Sequence, residues 1–488
     1  MSRSSYAAAR WLKSAVFPVA ALACAPALAT PFFLNGDVVV SVEGYGVPGA
    51  SSGPYGDDQA APLALFQYVP TGTVSATFVN ALVLPQNNSG TNFAVSGEYG
   101  SNTEGSLQLS GDGRYLAIAG YGVNAATFNA SPATYSPSST NTKLGQSGSL
   151  TGQGYTPVPR VVALIDANGN VNSTTALYNV FNANNPRSVY TADGTNIYIS
   201  GQGATGDNTG GVFFTTLGSA SATSITGNDG GSGSSQDTRT VQVYNGQLYV
   251  STDSQNGSTN RSFIGTLGTG TPTTVANSSN GPAMLSGFGN TGGTGKYTIT
   301  AATTNGINSS GQQINLSPEN YFFANPTTLY VADSGNPKQS SASSSLGDGG
   351  LQKWSLVDGN WQLDYTLAQG LGLVANSNSH GVTGLMGLAG QVSNNVVELY
   401  ATSSTINDVD QTYLYGITDV LSATTEPNGE SFAVLADAPG DSTFKGVSLA
   451  PVPEPSTLAL LAPPIAWLLT RRRKFSPLRG KLAQQRLI

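Results

Sequence analysis

The feature that most constrains this chain is a short strand-like phrase that keeps returning. It reads LAIAG at Leu116 to Gly120, IYISG at Ile197 to Gly201, LYVST at Leu248 to Thr252, LYVAD at Leu329 to Asp333 and LYATS at Leu399 to Ser403. VVVSV at Val38 to Val42 is a further copy. β-Branched and aromatic residues dominate, and most copies end in small residues, as suits a buried strand. A phrase that recurs in this way implies similar units packed side by side, because one such unit cannot bury its own faces.

A second strand-like run precedes each later copy: SLQLS, SVYTA, TVQVY, NYFFA and GLMGLA. Turn chemistry separates the two, with Gly111-Asp112-Gly113, Asp193-Gly194, Asn245-Gly246 and Asn325-Pro326. Asn-Gly and Asp-Gly favour the positive φ of primed hairpin turns. Third strands follow as LALFQYV, RVVALID, GVFFTTL, SFIGTL, LQKWSL and TYLYGI. Several lead through turns such as Asn168-Gly169 and Asp358-Gly359 into a fourth.

The first copy lacks a preceding strand, and a fitting one stands at the other end, Phe444 to Pro451. A ring closed by strands from both ends accounts for this and removes open edges. The expected fold is therefore all-β, a β-propeller of six blades closed by N- and C-terminal strands. Met284 to Ile314, with its KYTITAATT run, is the alternative seventh blade and is read as an insertion. The repeated strands start 78, 81, 51, 81 and 70 residues apart. The shortest interval is near the ~40–50 residues of known propeller repeats. The excess lies in polar stretches, Asn124 to Thr156, Gly201 to Gly211, Asn228 to Asp237 and Ser334 to Asp348, expected as surface loops or disorder.

Charged residues are 10% of the chain, against roughly 25% in an ordinary soluble domain. Between residues 30 and 470 there are ten basic residues against 27 acidic, a net of −17. Such a body repels nucleic acid. Cys24 is the sole cysteine and His380 the sole histidine. Disulfides, thiolate metal sites and histidine clusters are thereby excluded from the body, and no cofactor is expected.

Both ends carry addresses. Arg3, Arg10 and Lys13 precede an apolar run from Ala15 to Ala25, followed by Ala27-Leu28-Ala29. This is the order of a signal peptide, residues 1–29, with Ala27 and Ala29 in the signal-peptidase pockets. An uncleaved anchor and lipidation at Cys24 are the alternatives. The other end reads Val452-Pro453-Glu454-Pro455-Ser456-Thr457, then apolar Leu458 to Leu469, then Arg471-Arg472-Arg473-Lys474. This three-part order resembles the PEP-CTERM domain of exosortase substrates. The resemblance implies that Pro453, Glu454 and Pro455 form the sorting motif and that an apolar helix resides transiently in the inner membrane. Arg471, Arg472 and Arg473 would be the stop. It also implies exosortase as a partner, with the cell surface or extracellular matrix as destination and exopolysaccharide as a candidate ligand. The double proline Pro463-Pro464 and the tail Phe475 to Ile488 depart from the pattern. A plain, uncleaved anchor is the alternative. The expected organisation is a signal peptide (1–29), a propeller body (30–451), a sorting signal (452–474) and a basic cytoplasmic tail (475–488).

No catalytic or metal site is expected in the body. Asp166 to Asn170 begins like a calcium loop but lacks its later glycine and glutamate, so it reads as a hairpin turn. Asp57-Asp58, Asp333, Asp348 and Asp410 read as solvated loop residues, and His380 as an imidazole without a partner. Glu319 and Glu398 lie in or beside strands and could pair in a glycosidase, the enzymatic alternative, together with polysaccharide lyase chemistry. Trp354 and Trp361 bracket a hairpin and read as packing residues, with sugar stacking as the other use. The body is otherwise expected to be a non-enzymatic binding or structural module.

Sequencing the N-terminus of the exported protein should give Thr30; an intact Met1 or a lipid on Cys24 would refute the cleavage assignment.

Overall fold

The computed structural model describes residues 31–44, 54–227, 237–254, 261–275, 281–288, 296–298, 313–335, 349–375 and 377–453. The signal-peptide residues, with Ala27 and Ala29, lie outside this set. So do Glu454, Pro455, the apolar C-terminal segment and Arg471, Arg472 and Arg473. Among the described residues no helix is long and apolar enough to cross a membrane.

The described chain is all-β and built of antiparallel meanders. The first is β1 (Val38–Gly44), β2 (Ala60–Thr71) and β3 (Ser75–Val83). A short β4 (Ser96–Glu98) joins it to the second, β5 (Gln108–Leu109), β6 (Tyr115–Tyr121), β7 (Arg160–Asp166) and β8 (Val171–Leu177). Next come β9 (Pro186–Thr191), β10 (Asn196–Gly201), β11 (Gly211–Thr216) and β12 (Thr223–Ser224), then β13 (Thr238–Tyr244), β14 (Gln247–Ser254), β15 (Arg261–Thr266) and β16 (Ala283–Met284). The alternative seventh unit contributes the small hairpin β17 (Lys296–Thr298) and β18 (Gln313–Asn315). Two four-stranded sheets follow. One is β19 (Pro318–Asn325), β20 (Thr328–Asp333), β21 (Gly350–Val357) and β22 (Asn360–Leu367). The other is β23 (Val382–Ser393), β24 (Val396–Thr405), β25 (Tyr413–Val420) and β26 (Ala433–Asp437). The last strand, β27 (Ser442–Leu449), returns to β1.

Every copy of the repeated phrase lies in a strand flanked by hydrogen-bonded neighbours on both sides. The turn between β13 and β14 shows how sequence sets the geometry: Asn245 and Gly246 have φ of 47° and 76°, the two positive values of a primed turn. The expected closure is present. Val38 pairs with Leu449, Val40 with Val447 and Val42 with Phe444, so the first and last strands share one sheet. The leading strands touch in cyclic order, β27 on β5, β5 on β9, β9 on β13, β13 on β19, β19 on β23, and β23 on β27.

The fourth residue of the repeated phrase links sheet to sheet. Ser41 Oγ donates to the carbonyl of Gly105 at 2.5 Å, and Ser251 Oγ to that of Glu319 at 3.3 Å. Ser200 donates to the carbonyl of Arg239, and Thr402 to that of Lys445. Each hydroxyl thus satisfies a buried carbonyl beyond its own pairing partners. The fourth position is Ser, Thr or Ala in every copy.

Between sheets the core is apolar and aromatic. Trp354 and Trp361 are buried, and Trp354 stacks on Phe288 at 4.1 Å within a cluster that includes Phe263 and Ile264 of the preceding sheet. Their packing role is the observed one. A fully buried ion pair, Lys353 to Asp419 at 2.9 Å, ties β21 to β25. Tyr330 and Tyr365 donate to the same carboxylate, so its oxygens are fully used. Removing one partner of such a pair costs about 3–5 kcal/mol, because the other charge is left buried alone.

One expectation is corrected. Asn124 to Thr156 is not a loose surface loop. It begins with a short helix, α1 (Ala125–Ala130), capped by Asn124, whose side chain accepts from Thr127 N at 2.9 Å. Phe128 and Leu144 are buried with Tyr121 and Val158. Two large apolar side chains in a polar stretch are enough to pin it to the body.

Deleting residues 444–451 should expose β1 as an open edge and abolish the single cooperative melt. A truncated body that melts like the full chain would rule out the closure.

Candidate functional site

The second residue of three consecutive leading strands is charged: Arg187 in β9, Arg239 in β13 and Glu319 in β19. Lys445 adds a fourth charge from β27. All four are less than a tenth exposed. The strand pairing and, for Arg239, Glu319 and Lys445, the hydroxyl links fix these backbones, so their side chains meet where the leading strands converge.

The charges there are spent on one another. Arg187 pairs with Asp237 and donates to Gln202 Oε1 at 3.0 Å. Arg239 lies 3.6 Å from Asp237 and 3.5 Å from both Asp253 and Glu319. Asp253 also accepts from Ser262 at 2.8 Å and Ser317 at 2.7 Å. Burial, with Arg239 close by, pulls the Arg187 guanidinium down to about 9. The space left between Arg187, Arg239, Glu319 and Gly446 is about 10 Å³, room for roughly one water.

Beside this ladder stand three carboxyls, Glu43, Glu98 and Glu104, each under a twentieth exposed. Asn185 donates its amide to both Glu98, at 2.9 Å, and Glu104. Gly145 N donates to Glu98 at 2.7 Å, and the Tyr121 hydroxyl donates to Glu104. Neither oxygen of Glu43 has a hydrogen bond; its nearest cation is Lys445 Nζ, 3.8 Å away. Gly97 gives this carboxyl its room: a Cβ there would stand 2.3 Å from Glu43 Oε1 and push the side chain aside. Burial pushes Glu43 up to about 7 against the pull of Lys445. Burial and the neighbouring Glu43 push Glu104 up to about 7 as well. Glu98 is raised too, first by burial and then by Glu104. Arg160 closes the cluster over the Tyr121 ring at 4.6 Å and donates to the carbonyls of Val158, Ser147, Phe181 and Asn184. The arrangement holds protons: three carboxyls this close keep at least one neutral. Among the described residues no set of three His, Cys, Asp or Glu is placed to hold a metal ion.

The sequence-derived candidates scatter. Glu319 belongs to the charged ladder, but Glu398, half-buried in β24, accepts from Gln391 at 2.6 Å, so the two do not meet. Asp58 pairs with Lys143, and Asp166 caps the β7–β8 hairpin by accepting from Asn168 and Asn170. Asp333 is not a solvated loop residue: it is fully buried and accepts from Ser317 N at 2.8 Å and Gln352 at 2.9 Å. Asp348 lies outside the described residues. His380 does have a partner, contrary to expectation: its Nδ1 lies 2.6 Å from Asp410 Oδ1. Pro453 is exposed just after the last strand. Sequence reading passes over Glu43, Glu98, Glu104, Arg160, Arg187, Arg239 and Lys445. A signal exists for two of them: Arg187 and Arg239, like Glu319, immediately precede the runs SVYTA, TVQVY and NYFFA.

No family model and no curated protein matches the chain. Solved structures are similar at low identity. A hypothetical selenium-binding protein from Sulfolobus tokodaii is 9% identical with a TM-score of 0.37, over 87% of this chain and 94% of that one. A Trypanosoma rangeli sialidase is 12% identical with a TM-score of 0.34, over 93% of this chain and 59% of that one. The β-propeller domain of the Trilobed protease from Pyrococcus furiosus is 10% identical with a TM-score of 0.27, over 75% of this chain and 96% of that one. At these values the likenesses say nothing about this chain's chemistry.

The raised carboxyls have a sign. Glu43 and Glu104 ordinarily titrate near 4.5 and are held to about 7 in the fold. The folded state keeps protons that the unfolded chain releases, so their contribution is full below about pH 4.5 and is lost as pH rises through 7. The melting temperature should be a few degrees higher at pH 5 than at pH 8, and the double variant Glu43→Gln, Glu104→Gln should flatten that slope. Equal slopes for variant and wild type would show that these carboxyls are ionised in the fold.

Proposed function

We propose that the chain is an exported surface protein whose body is a six-bladed β-propeller, delivered by exosortase and serving as a binding or structural module of the cell envelope or matrix. The observation that carries this reading is the junction between body and tail. The closing strand ends at Leu449, and Pro453-Glu454-Pro455 follows almost at once. A cut at that motif would free a ring with every strand in place, while the apolar segment and Arg471 to Arg473 stayed behind. The six-blade count is supported by the six leading strands in cyclic contact, with the β17–β18 hairpin taken as an insertion.

A binding role is supported by the way the inner charges are used. Arg187, Arg239 and Glu319 face one another across a space for about one water, and the three glutamates beside them are buried. The alternative, a glycosidase or lyase, draws on the same groups, since Glu98, Glu104, Tyr121 and Arg160 supply carboxyls, a phenol and a cation. That chemistry needs a sugar between two carboxyls, and each of these groups is under a tenth exposed.

Replacing Pro453, Glu454 and Pro455 with alanine should leave the protein in the inner membrane of a host that carries exosortase, with the wild type recovered further out. The basic cluster resists translocation and the apolar run holds the chain, so release requires a cut before it. Identical fractionation of the two would reduce the tail to a plain anchor.

A further inference from the structure

Outside the converging charges, the last four-stranded sheet carries a groove of about 550 Å³ between the β24–β25 loop, the glycine-rich turn after β22 and the segment leading into β23. His380 and Asp410 stand at its rim. Asp410 is anchored: Oδ1 faces His380 Nδ1 at 2.6 Å, and Oδ2 accepts from Gly381 N at 3.0 Å and Asn407 N at 3.2 Å. The carboxylate holds the ring through Nδ1 and so leaves Nε2 turned away from it. The imidazole is 68% exposed, so Nε2 is open to a hydroxyl, which can either donate to it or accept from it.

The walls fit a particular chemistry. Tyr413 presents a half-buried ring, tilted 41° against Tyr415, whose hydroxyl is tied to the Leu371 carbonyl at 3.1 Å. Gln411 donates its amide hydrogens to Thr412 O at 3.0 Å and Ala438 O at 2.9 Å, which orients its side chain at the groove edge. Val434, 49% exposed, supplies apolar surface, and Gly372 has nothing within 4 Å of a Cβ position. Both Asp410 oxygens are already engaged, so the groove offers no free anion to a cation. The net −17 of the body disfavours an anionic ligand. A molecule with an apolar face for Tyr413 and neutral hydroxyls for His380 Nε2 satisfies all of these constraints.

We infer that this groove on the last sheet is a binding site for a neutral saccharide, with Tyr413 as the stacking platform and the Asp410-held His380 as a hydrogen-bond partner for its hydroxyls. The inference rests on the binding role proposed above and gives it a location and a ligand class.

Because His380 is the sole histidine, histidine-selective ¹⁵N labelling of the full-length exported protein yields a single imidazole to follow. Titration with cellotetraose, maltotetraose and laminaritetraose should move that resonance saturably for at least one of them, while tetragalacturonate should not move it. Tyr413→Ala should weaken the response about tenfold. Gly372→Asn is a second variant: asparagine tolerates the +67° φ there and its side chain enters open space. It should block binding with an unchanged melting temperature. An unmoved resonance with all three neutral sugars, or an undiminished response in both variants, overturns the site. Co-sedimentation with insoluble cellulose separates the two ideas: retention with an unmoved His380 signal would sink the groove and leave the binding role standing.

Discussion

Everything in this fold depends on the pairing of β1 with β27. Each sheet buries apolar residues on both faces, so none is stable without neighbours on either side. Only a closed cycle gives every sheet two neighbours. The ladder from Val38–Leu449 to Gly44–Ser442 supplies the closing contact by hydrogen bonding. It also sets Lys445 against Gly105, just before β5, where its ammonium donates to the Ser101 carbonyl and stands 3.8 Å from Glu43. Closure and the central charge cluster are therefore one arrangement.

The hydroxyl links give the repeat its chemical meaning. A serine or threonine in the fourth position of the phrase reaches the next leading strand at Arg239, Glu319 or Lys445, or, from Ser41, Gly105 just before β5. Three of these acceptors carry the inward charges, so one small residue both joins two sheets and orients a guanidinium, carboxylate or ammonium. Ala119 and Ala332 hold the same position without a hydroxyl. In the second sheet Gln108, paired with Ala117, makes the cross-connections instead, to Ser188 and to the Val241 carbonyl at 2.7 Å.

The strands and their closure were legible because period, turn chemistry and a missing partner are local signals. The site was less so. Glu98, Glu104 and Arg160 stand in stretches that read as loop or as the edge of an apolar run, and their meeting depends on β4 bridging two sheets, which three residues cannot announce. Ser334 and Asp333 look like loop polarity, yet their side chains satisfy buried backbone amides and hydroxyls. His380 and Asp410 are thirty residues apart, and only the curl of the last sheet brings them together. Asn124 to Thr156 misleads for the opposite reason: its composition is polar, but Phe128 and Leu144 decide where it lies.

The register of the closing ladder has a mechanical side. Val38, where the chain enters the first sheet, is the strand neighbour of Leu449, where it leaves, so the two exits lie about 5 Å apart. A load applied between them acts on the end of the ladder and parts its hydrogen bonds one at a time, as a zipper opens. A load between either exit and another sheet meets the whole β1–β27 ladder in shear, where the bonds must fail together. A body held by one tail is therefore gripped at its strong geometry, and one held by both ends at its weak one.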